Sequence, residues 1–158
     1  RLGSDILRLL PNPTIIYPWV RAYQNANSSV KFSPQDFPPT SQPGANPDEI
    51  LFHEFIHVIE GNYWGYSDSP GFQFDKADFL SVNATNVYSC MLGRGLRKDH
   101  HGFSFLPHEY FTNPRTHFDS MPGNYGLAQA RAPALYNLLK SSSPLWNPFI
   151  FEPAGPHR

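Results

Sequence analysis

Two histidines and a glutamate occur at a spacing that suits metal-assisted hydrolysis. The run His53-Glu54-Phe55-Ile56-His57 separates the histidines by four positions, so on a helix both imidazoles project from one face and can bind one ion. Neutral imidazole nitrogens are good ligands for Zn²⁺. Glu54 can take a proton from a zinc-bound water, because the ion lowers the pKa of that water to about 7. We therefore expect zinc at His53 and His57, with Glu54 as the general base.

The third zinc ligand is left open by the spacing of the remaining residues. A metzincin-type site is excluded, because Glu60 and Tyr63 stand where that pattern has glycine and a third histidine. The other common solution is an acid on a following helix, and Asp78 and Asp75 both lie at a suitable distance along the chain. We expect Asp78 to be the ligand, with Asp75 as the alternative. Glu60 is expected to be a surface acid, with a hydrogen bond to an imidazole N–H as the alternative.

A second group of histidines lies further along the chain. Its members are His100, His101, His108 and His117. We expect at least one of the adjacent pair, His100 and His101, to act as a metal ligand or as a donor that stabilises the oxyanion formed during hydrolysis. The alternative is that this pair only holds Asp99 or a backbone carbonyl in a loop. Tyr88 and Tyr110 are weaker candidates for oxyanion donation and are expected to belong to the core.

Composition limits the classes of function and the number of domains. The chain has 158 residues, 40% of them hydrophobic, which is enough for one domain with a core. Its 12 basic and 13 acidic side chains give a net charge of −1, so we expect no nucleic-acid partner. No apolar run reaches the roughly 20 residues of a membrane helix, and Cys90 alone cannot form an intrachain disulfide. The first residues lack both Met and a signal-peptide pattern, so residues 1–158 are expected to be one domain excised from a larger protein.

Two helices are predicted around the candidate ligands. Asn46 is the expected N-cap and Pro47 the first helical residue of a helix that runs to Glu60 and stops at Gly61. A second helix is predicted over 75–92. The other predicted elements are a short helix over 4–10, paired strands over 14–19 and 29–32, a proline-rich loop over 33–47, a weakly periodic stretch over 94–124, a helix over 127–140 with Pro133 starting or kinking it, and a tail over 141–158. This pattern predicts an α+β fold with a small sheet and long proline-rich loops.

Three segments of the chain resemble one family of bacterial proteins. They are the HExxH helix, the run Asp78-Phe79-Leu80-Ser81-Val82 followed by Asn86-Val87-Tyr88, and the run Leu96-Arg97-Lys98-Asp99-His100-His101-Gly102-Phe103. The family consists of zinc metallopeptidase-like domains that serve as toxin or effector modules of contact-dependent and type VI-type secretion systems, often at the C-terminus of larger carriers. The resemblance covers about residues 46–105.

The resemblance implies a zincin-like fold, with an active-site helix, a second helix that carries an acidic ligand, and a small sheet. It also implies peptide-bond hydrolysis, toxicity to a target cell, and in some systems a cognate immunity protein. Matched by position, His53 and His57 would be the zinc ligands and Glu54 the base. The acid at the start of the second helix would then be the third ligand.

The chain departs from the family pattern at the third ligand. The family usually has a glutamate there, often next to another acid, where this chain has Ala77-Asp78. Aspartate is one methylene shorter, so it must approach the ion more closely, or His100 or His101 takes its place.

These features together predict a zinc-dependent hydrolase that cleaves a peptide or related amide bond. The resemblance adds that it is a secreted or delivered bacterial effector with a peptide or protein substrate in a target cell. One alternative is a hydrolase of cell-wall amides, because specificity depends on loops such as 33–47 and 104–124. The other is a non-catalytic binding module, in which the metal is structural or the two helical histidines are only buried and hydrogen-bonded.

Overall fold

The fold combines several helices with one small sheet, as expected for an α+β protein. The computed structural model describes residues 1–18, 22–25, 28–61, 66–74 and 78–153. Asp75 and Ala77, and with them the expected first turn of the second helix, lie outside the described residues. None of the helices in these ranges has the length and apolar character needed to cross a bilayer.

The sheet has three short strands in the order β1-β3-β2. The strands are β1 (Ile15–Tyr17), β2 (Tyr23–Asn25) and β3 (Ser29–Lys31). The predicted pairing of the first and last strands is confirmed, and it is parallel, with Ile16 opposite Val30. β2 was not predicted, and it pairs antiparallel with β3. Val30 is fully buried, so the central strand packs against the core.

The helix that carries the HExxH motif begins and ends as the sequence predicts. This helix, α2 (Pro47–Glu60), follows a short N-terminal helix, α1 (Leu2–Leu7). The backbone N–H of Asn46 donates to Oε1 of Glu49 at 3.1 Å, as one half of a capping box. Gly61 ends the helix with φ of 69°, a backbone angle that glycine adopts without strain. Both helix ends are therefore specified by local chemistry.

The helix that supplies the candidate acid runs antiparallel to α2. This is α3 (Asp78–Met91). Near its end, Tyr88 stacks on Phe52 with ring centroids 4.6 Å apart, and its hydroxyl donates to Asp48 at 2.7 Å. Arg94, just beyond α3, donates to both carboxylate oxygens of Asp48 at 2.8 Å. These contacts fix the start of α2 to the end of α3, so the start of α3 lies beside the histidines of α2.

The C-terminal third is more helical than the sequence predicts. It contains α4 (His108–Thr112), α5 (Pro114–Ser120), α6 (Pro122–Arg131) and α7 (Pro133–Ser141). No helix was predicted over 94–124, where the sequence is only weakly periodic, yet the second half of this stretch is largely helical. The helix predicted over 127–140 is two helices. Three of the four helices begin at a proline, which suits the first helical position because no N–H is needed there. Pro133 thus starts a helix and does not kink one, which is the first of the two alternatives predicted for it.

His117 of α5 belongs to the core and not to the candidate site. It is fully buried, and its Nδ1 lies 2.6 Å from the hydroxyl of Tyr125. The rings of Phe72 and Trp146 contact it edge to face. Burial lowers the pKa of His117 to about 3, so the ring is neutral at neutral pH and packs as an aromatic side chain.

Candidate metal centre

Three candidate ligand atoms from α2 and α3 meet in one place. Nε2 of His53 and Nε2 of His57 lie 3.2 Å apart. Oδ1 of Asp78 lies 2.9 Å from the His57 nitrogen and 3.4 Å from the His53 nitrogen. The antiparallel packing of the two helices therefore brings the predicted acid to the predicted histidine pair.

The separations between these atoms suit a small tetrahedral ion. Ligand atoms bound at 2.0–2.1 Å in tetrahedral geometry are about 3.3 Å from one another. The measured separations of 2.9, 3.2 and 3.4 Å bracket that value. Imidazole nitrogens with one carboxylate oxygen are also a donor set that zinc accepts. The side chains thus fit such an ion with little rearrangement.

His100 approaches the same carboxylate from its other side. Its Nδ1 lies 3.3 Å from Oδ2 of Asp78, and its ring stacks on that of His53 at 5.6 Å. His53, Asp78 and His100 form a group whose donor atoms lie within 4.8 Å of one another, close enough to hold a metal ion. His100 can therefore serve as a ligand or as a partner of the ligating carboxylate.

Ser81 completes the side of the site that faces α3. Its hydroxyl oxygen lies 3.3 Å from Nε2 of both His53 and His57. Its hydrogen can point to the carbonyl of Asp78 at 3.1 Å, which would leave an oxygen lone pair facing the two imidazoles. The sequence reasoning did not assign Ser81 to the site. The usable signal was its position three residues after Asp78, on the same helical face.

Glu60 lies behind His57, and the expectation that it is a surface acid was wrong. It is only 1% exposed, because the last turn of α2 packs against Tyr66, whose hydroxyl donates to Oε2 of Glu60 at 3.3 Å. Its Oε1 lies 3.5 Å from Nδ1 of His57. A carboxylate behind a metal-binding histidine orients the ring and makes it a better ligand. Oε1 makes no hydrogen bond at this distance, but its place beside Nδ1 of His57 is closer to the alternative role expected for Glu60 than to that of a surface acid.

The charges of these side chains follow from their arrangement. Burial lowers the pKa of His53 to about 3. Burial acts in the same direction on His57, but the interactions with Asp78 and Glu60 outweigh it and raise the pKa of His57. Desolvation raises the pKa of Asp78, yet the two histidines hold it well below its ordinary value. The side chains by themselves thus favour a charged His57–Asp78 pair beside a neutral His53.

The loop that carries His100 is fixed to α3 through its backbone. The side-chain amide of Asn86 accepts from the N–H of Arg97 and donates to its carbonyl, both at 2.7 Å. The backbone N–H of His100 donates to the carbonyl of Gln73 at 3.0 Å. Asp99 accepts from the N–H of Gln73 at 2.8 Å. These bonds hold His100 against Asp78 without using its ring.

Glu54 lines a cleft beside the metal-facing side chains. The cleft has a volume of about 580 Å³, and His53, Glu54, Arg97 and His100 contribute to its wall. A volume of this size is typical of sites that bind small molecules or short chain segments. The side chain of Glu54 is partly exposed, so water can reach it. The predicted base thus lines the same cleft as His53 and His100.

The other predicted site residues lie elsewhere. His101 is exposed, and it lines a separate cavity of about 420 Å³ with Asp68 and Lys98. His108 is exposed on α4. The hydroxyl of Tyr88 is bound to Asp48, at the opposite end of the helix pair. Of the four histidines that the structure describes after residue 99, only His100 has its ring at the candidate centre.

Comparison with known proteins adds no assignment to this geometry. The sequence matches no protein-family model, and it matches neither a curated protein nor a solved structure. The zincin-like fold and the effector resemblance therefore stay predictions from sequence motifs.

Proposed function

We propose that this chain is a zinc-dependent hydrolase that cleaves a peptide bond or a related amide bond. The observation that carries the proposal is the meeting of His53, His57 and Asp78 at separations suited to a tetrahedral ion, with Glu54 on the wall of the adjoining cleft. A bound zinc ion would polarise the substrate carbonyl and acidify the attacking water.

The protein side chains would handle the proton and the developing charge. Glu54 accepts a proton as water adds to the carbonyl carbon, and it then gives that proton to the leaving nitrogen as the C–N bond breaks. His100 borders the same cleft, where an N–H can donate to the oxygen that becomes negative. Glu60 keeps the ring of His57 oriented. Each role uses a group whose position supports it.

The direct test is the loss of activity on changing Glu54 alone. Zinc-loaded protein is incubated with a mixture of unrelated peptides, and cleavage is followed by mass spectrometry. We expect Glu54→Gln to retain one zinc per chain and to lose at least about 100-fold in rate, the scale of general-base catalysis. Glu109→Gln is the matched control, because Glu109 is exposed on α4 and away from the cleft. Cleavage that survives Glu54→Gln would refute the mechanism.

A structural metal site is the second candidate, and one observation favours it. Ser81 and His100 both lie close enough to the centre to add a fourth protein donor to His53, His57 and Asp78, and structural zinc has four protein ligands. X-ray absorption of the zinc-loaded protein separates the two. Three protein ligands and one water would support the hydrolase, whereas four protein ligands would support a structural site.

The biological setting in the proposal depends on the resemblance alone. Delivery as a secreted bacterial effector, action in a target cell and a cognate immunity protein are what that resemblance implies. A cell-wall amide remains the alternative substrate to a peptide or protein. A substrate screen that includes peptidoglycan fragments beside peptides distinguishes these two classes.

A further inference from the structure

Arg97 is a buried cation on the wall of the cleft. It is 7% exposed, and it lines the cleft beside Glu54 and His100. Its Nε donates to the carbonyl of Gly102 at 3.0 Å. Within the described ranges, its two terminal nitrogens have no hydrogen-bond acceptor. These nitrogens are not among the buried side-chain atoms that lack a partner, so they reach the open cleft, where an anionic ligand could replace water as their acceptor.

The position of this guanidinium is fixed from several sides. Its carbon atom Cζ lies 4.2 Å from the centre of the Phe103 ring, in a cation–π contact. Its stem packs against Gly44, where a Cβ atom would lie only 3.1 Å from Cδ of the arginine. Its backbone is held by Asn86 at both the N–H and the carbonyl. The donors are therefore preorganised before any ligand arrives.

The acidic side chains near Arg97 do not fully neutralise its positive charge, so an anionic ligand can bind there. Burial lowers the pKa of Arg97, and the fields of Asp78 and Asp99 oppose that effect. An arginine nonetheless stays charged in a protein. A cation bound to Asp78 would neutralise the negative charge of that carboxylate, which would then no longer offset the positive charge of Arg97. Loading the metal site therefore increases the need for a further negative group at Arg97.

Asp36, which is exposed, adds a second acid to the cleft wall beside Glu54, and the rest of the wall is largely apolar. Its hydrophobic lining consists of Ala22, Phe37, Ile50 and Phe103. A ligand that fits both parts carries an apolar side chain and a carboxylate close together. Arginine binds a carboxylate through two parallel hydrogen bonds, which gives direction as well as strength.

We infer that Arg97 binds a carboxylate of the substrate while the apolar wall of the cleft takes a neighbouring side chain. As an extension of the proposed function, this places the cleaved bond next to an apolar residue. The carboxylate comes from the chain terminus or from an acidic side chain, and different ligands separate these sources.

The test measures binding without turnover. The protein is the full chain with Glu54→Gln, loaded with zinc. The probes are N-acetyl-phenylalanine, its amide, and the amide of N-acetyl-phenylalanyl-glutamate, whose only carboxylate is on the side chain. We expect one of the two acids to bind at least about tenfold more tightly than the phenylalanine amide, as charge-assisted hydrogen bonds are lost in the amide. The acid that shows this preference identifies the source of the carboxylate.

Variants then show whether Arg97 is responsible for the preference. Arg97→Gln should reduce it to within about twofold, because the fork of donors is lost. Arg115→Gln removes the same charge from an exposed arginine on α5 and should leave the preference intact. Equal binding of acid and amide by the parent would overturn the inference. So would an undiminished preference in Arg97→Gln, since the metal alone would then be binding the carboxylate.

Two features keep this test decisive. Asn86 binds only backbone atoms of residue 97, so Arg97→Gln keeps that anchor; zinc content and thermal unfolding verify the variant. If the variant fails to fold, the Nε–Hε resonance of Arg97 in the parent is followed instead, and the absence of any shift with either acid would overturn the inference.

The outcomes also separate this inference from the proposed function. If the preference for the acid is absent while peptides are cleaved, only the role of Arg97 is refuted. If it is present while no amide is hydrolysed, the proposed function falls and the carboxylate site remains.

Discussion

Oδ1 of Asp78 lies 2.9 Å from Nε2 of His57, and one carboxylate thereby joins the start of α3 to the HExxH helix. This contact makes Asp78→Ala the sharpest test of the metal site. We expect its loss to weaken zinc binding by more than the roughly 10–100-fold seen when only a partner of a ligand is removed. The measurement is competition with a chromophoric chelator at fixed pH.

Asp119→Ala is the matched control for that change. Asp119 is exposed on α5 and pairs with Arg115 four residues before it, so its loss should leave zinc affinity unaltered. Equal zinc affinity in Asp78→Ala and the parent would show that His100, with the two helical histidines, is sufficient to hold the ion.

Neighbouring histidines offer a second, internally controlled comparison. His100→Ala should weaken zinc binding by about 10–100-fold, because its ring approaches the carboxylate of Asp78. His101→Ala should change zinc affinity by less than about twofold. Its ring lies on another cavity, and only its backbone N–H, which donates to Asp99 at 3.0 Å, helps to shape the loop. Isothermal titration of both variants with zinc is the measurement, and the reverse order of effects would refute this loop geometry.

The stability of the fold in acid should depend on the ion pair between Asp48, at the start of α2, and Arg94, just beyond the end of α3. Desolvation raises the pKa of Asp48, but hydrogen bonds from Arg94 and Tyr88 outweigh it, so the folded-state pKa is lowered. The stabilisation is therefore complete above the ordinary aspartate pKa of about 3.9 and is lost as pH falls through the folded-state value.

Removing this carboxylate should make the acid limb of the stability profile less steep. We expect Asp48→Asn to be less stable than the parent at pH 6 and to lose less stability between pH 6 and pH 3. Urea unfolding at several pH values measures both, with Asp119→Asn as the exposed control. Parallel profiles for Asp48→Asn and the parent would contradict the prediction.

Two buried tyrosines provide a test of the core. The hydroxyl of Tyr125 is bonded to His117, whereas that of Tyr136 has no partner in the described part of the chain. Tyr125→Phe should lower the free energy of unfolding by about 1–3 kcal/mol, because it leaves a buried ring nitrogen unpaired. Tyr136→Phe should leave it unchanged or raise it. Equal losses in the two variants, measured by denaturant unfolding, would show that the His117 bond contributes nothing.

The parts of the site that the sequence predicts are those set by local spacing. The motif at His53 and His57, the cap at Asn46 and the stop at Gly61 depend only on residues within a few turns of one helix. Asp78 could be predicted as a ligand because an acid at the start of a following helix is one of few ways to complete such a site. Distances between its carboxylate and the histidines confirm that they meet.

The parts that could not be predicted depend on packing between distant residues. Glu60 is buried because Tyr66 covers it, and no local pattern reveals that cover. His100 and His101 are adjacent and chemically identical, and only the bonds of the loop to Gln73 determine which ring faces Asp78. The short helices after residue 107 have weak periodicity, and α5 and α6 are stabilised by aromatic contacts such as that between Phe118 and Tyr125.

The double hydrogen bond from Asn86 has a consequence for how such a protein can diverge. Asn86 hydrogen-bonds only to the backbone N–H and carbonyl of residue 97, so these bonds do not depend on the side chain at that position. A substitution of the side chain at residue 97 can therefore change what the cleft accepts without loosening the loop from α3. The candidate metal-ligating side chains of α2 and α3 would keep their positions during such changes. A single asparagine thus uncouples the evolution of selectivity from the preservation of the metal-facing geometry.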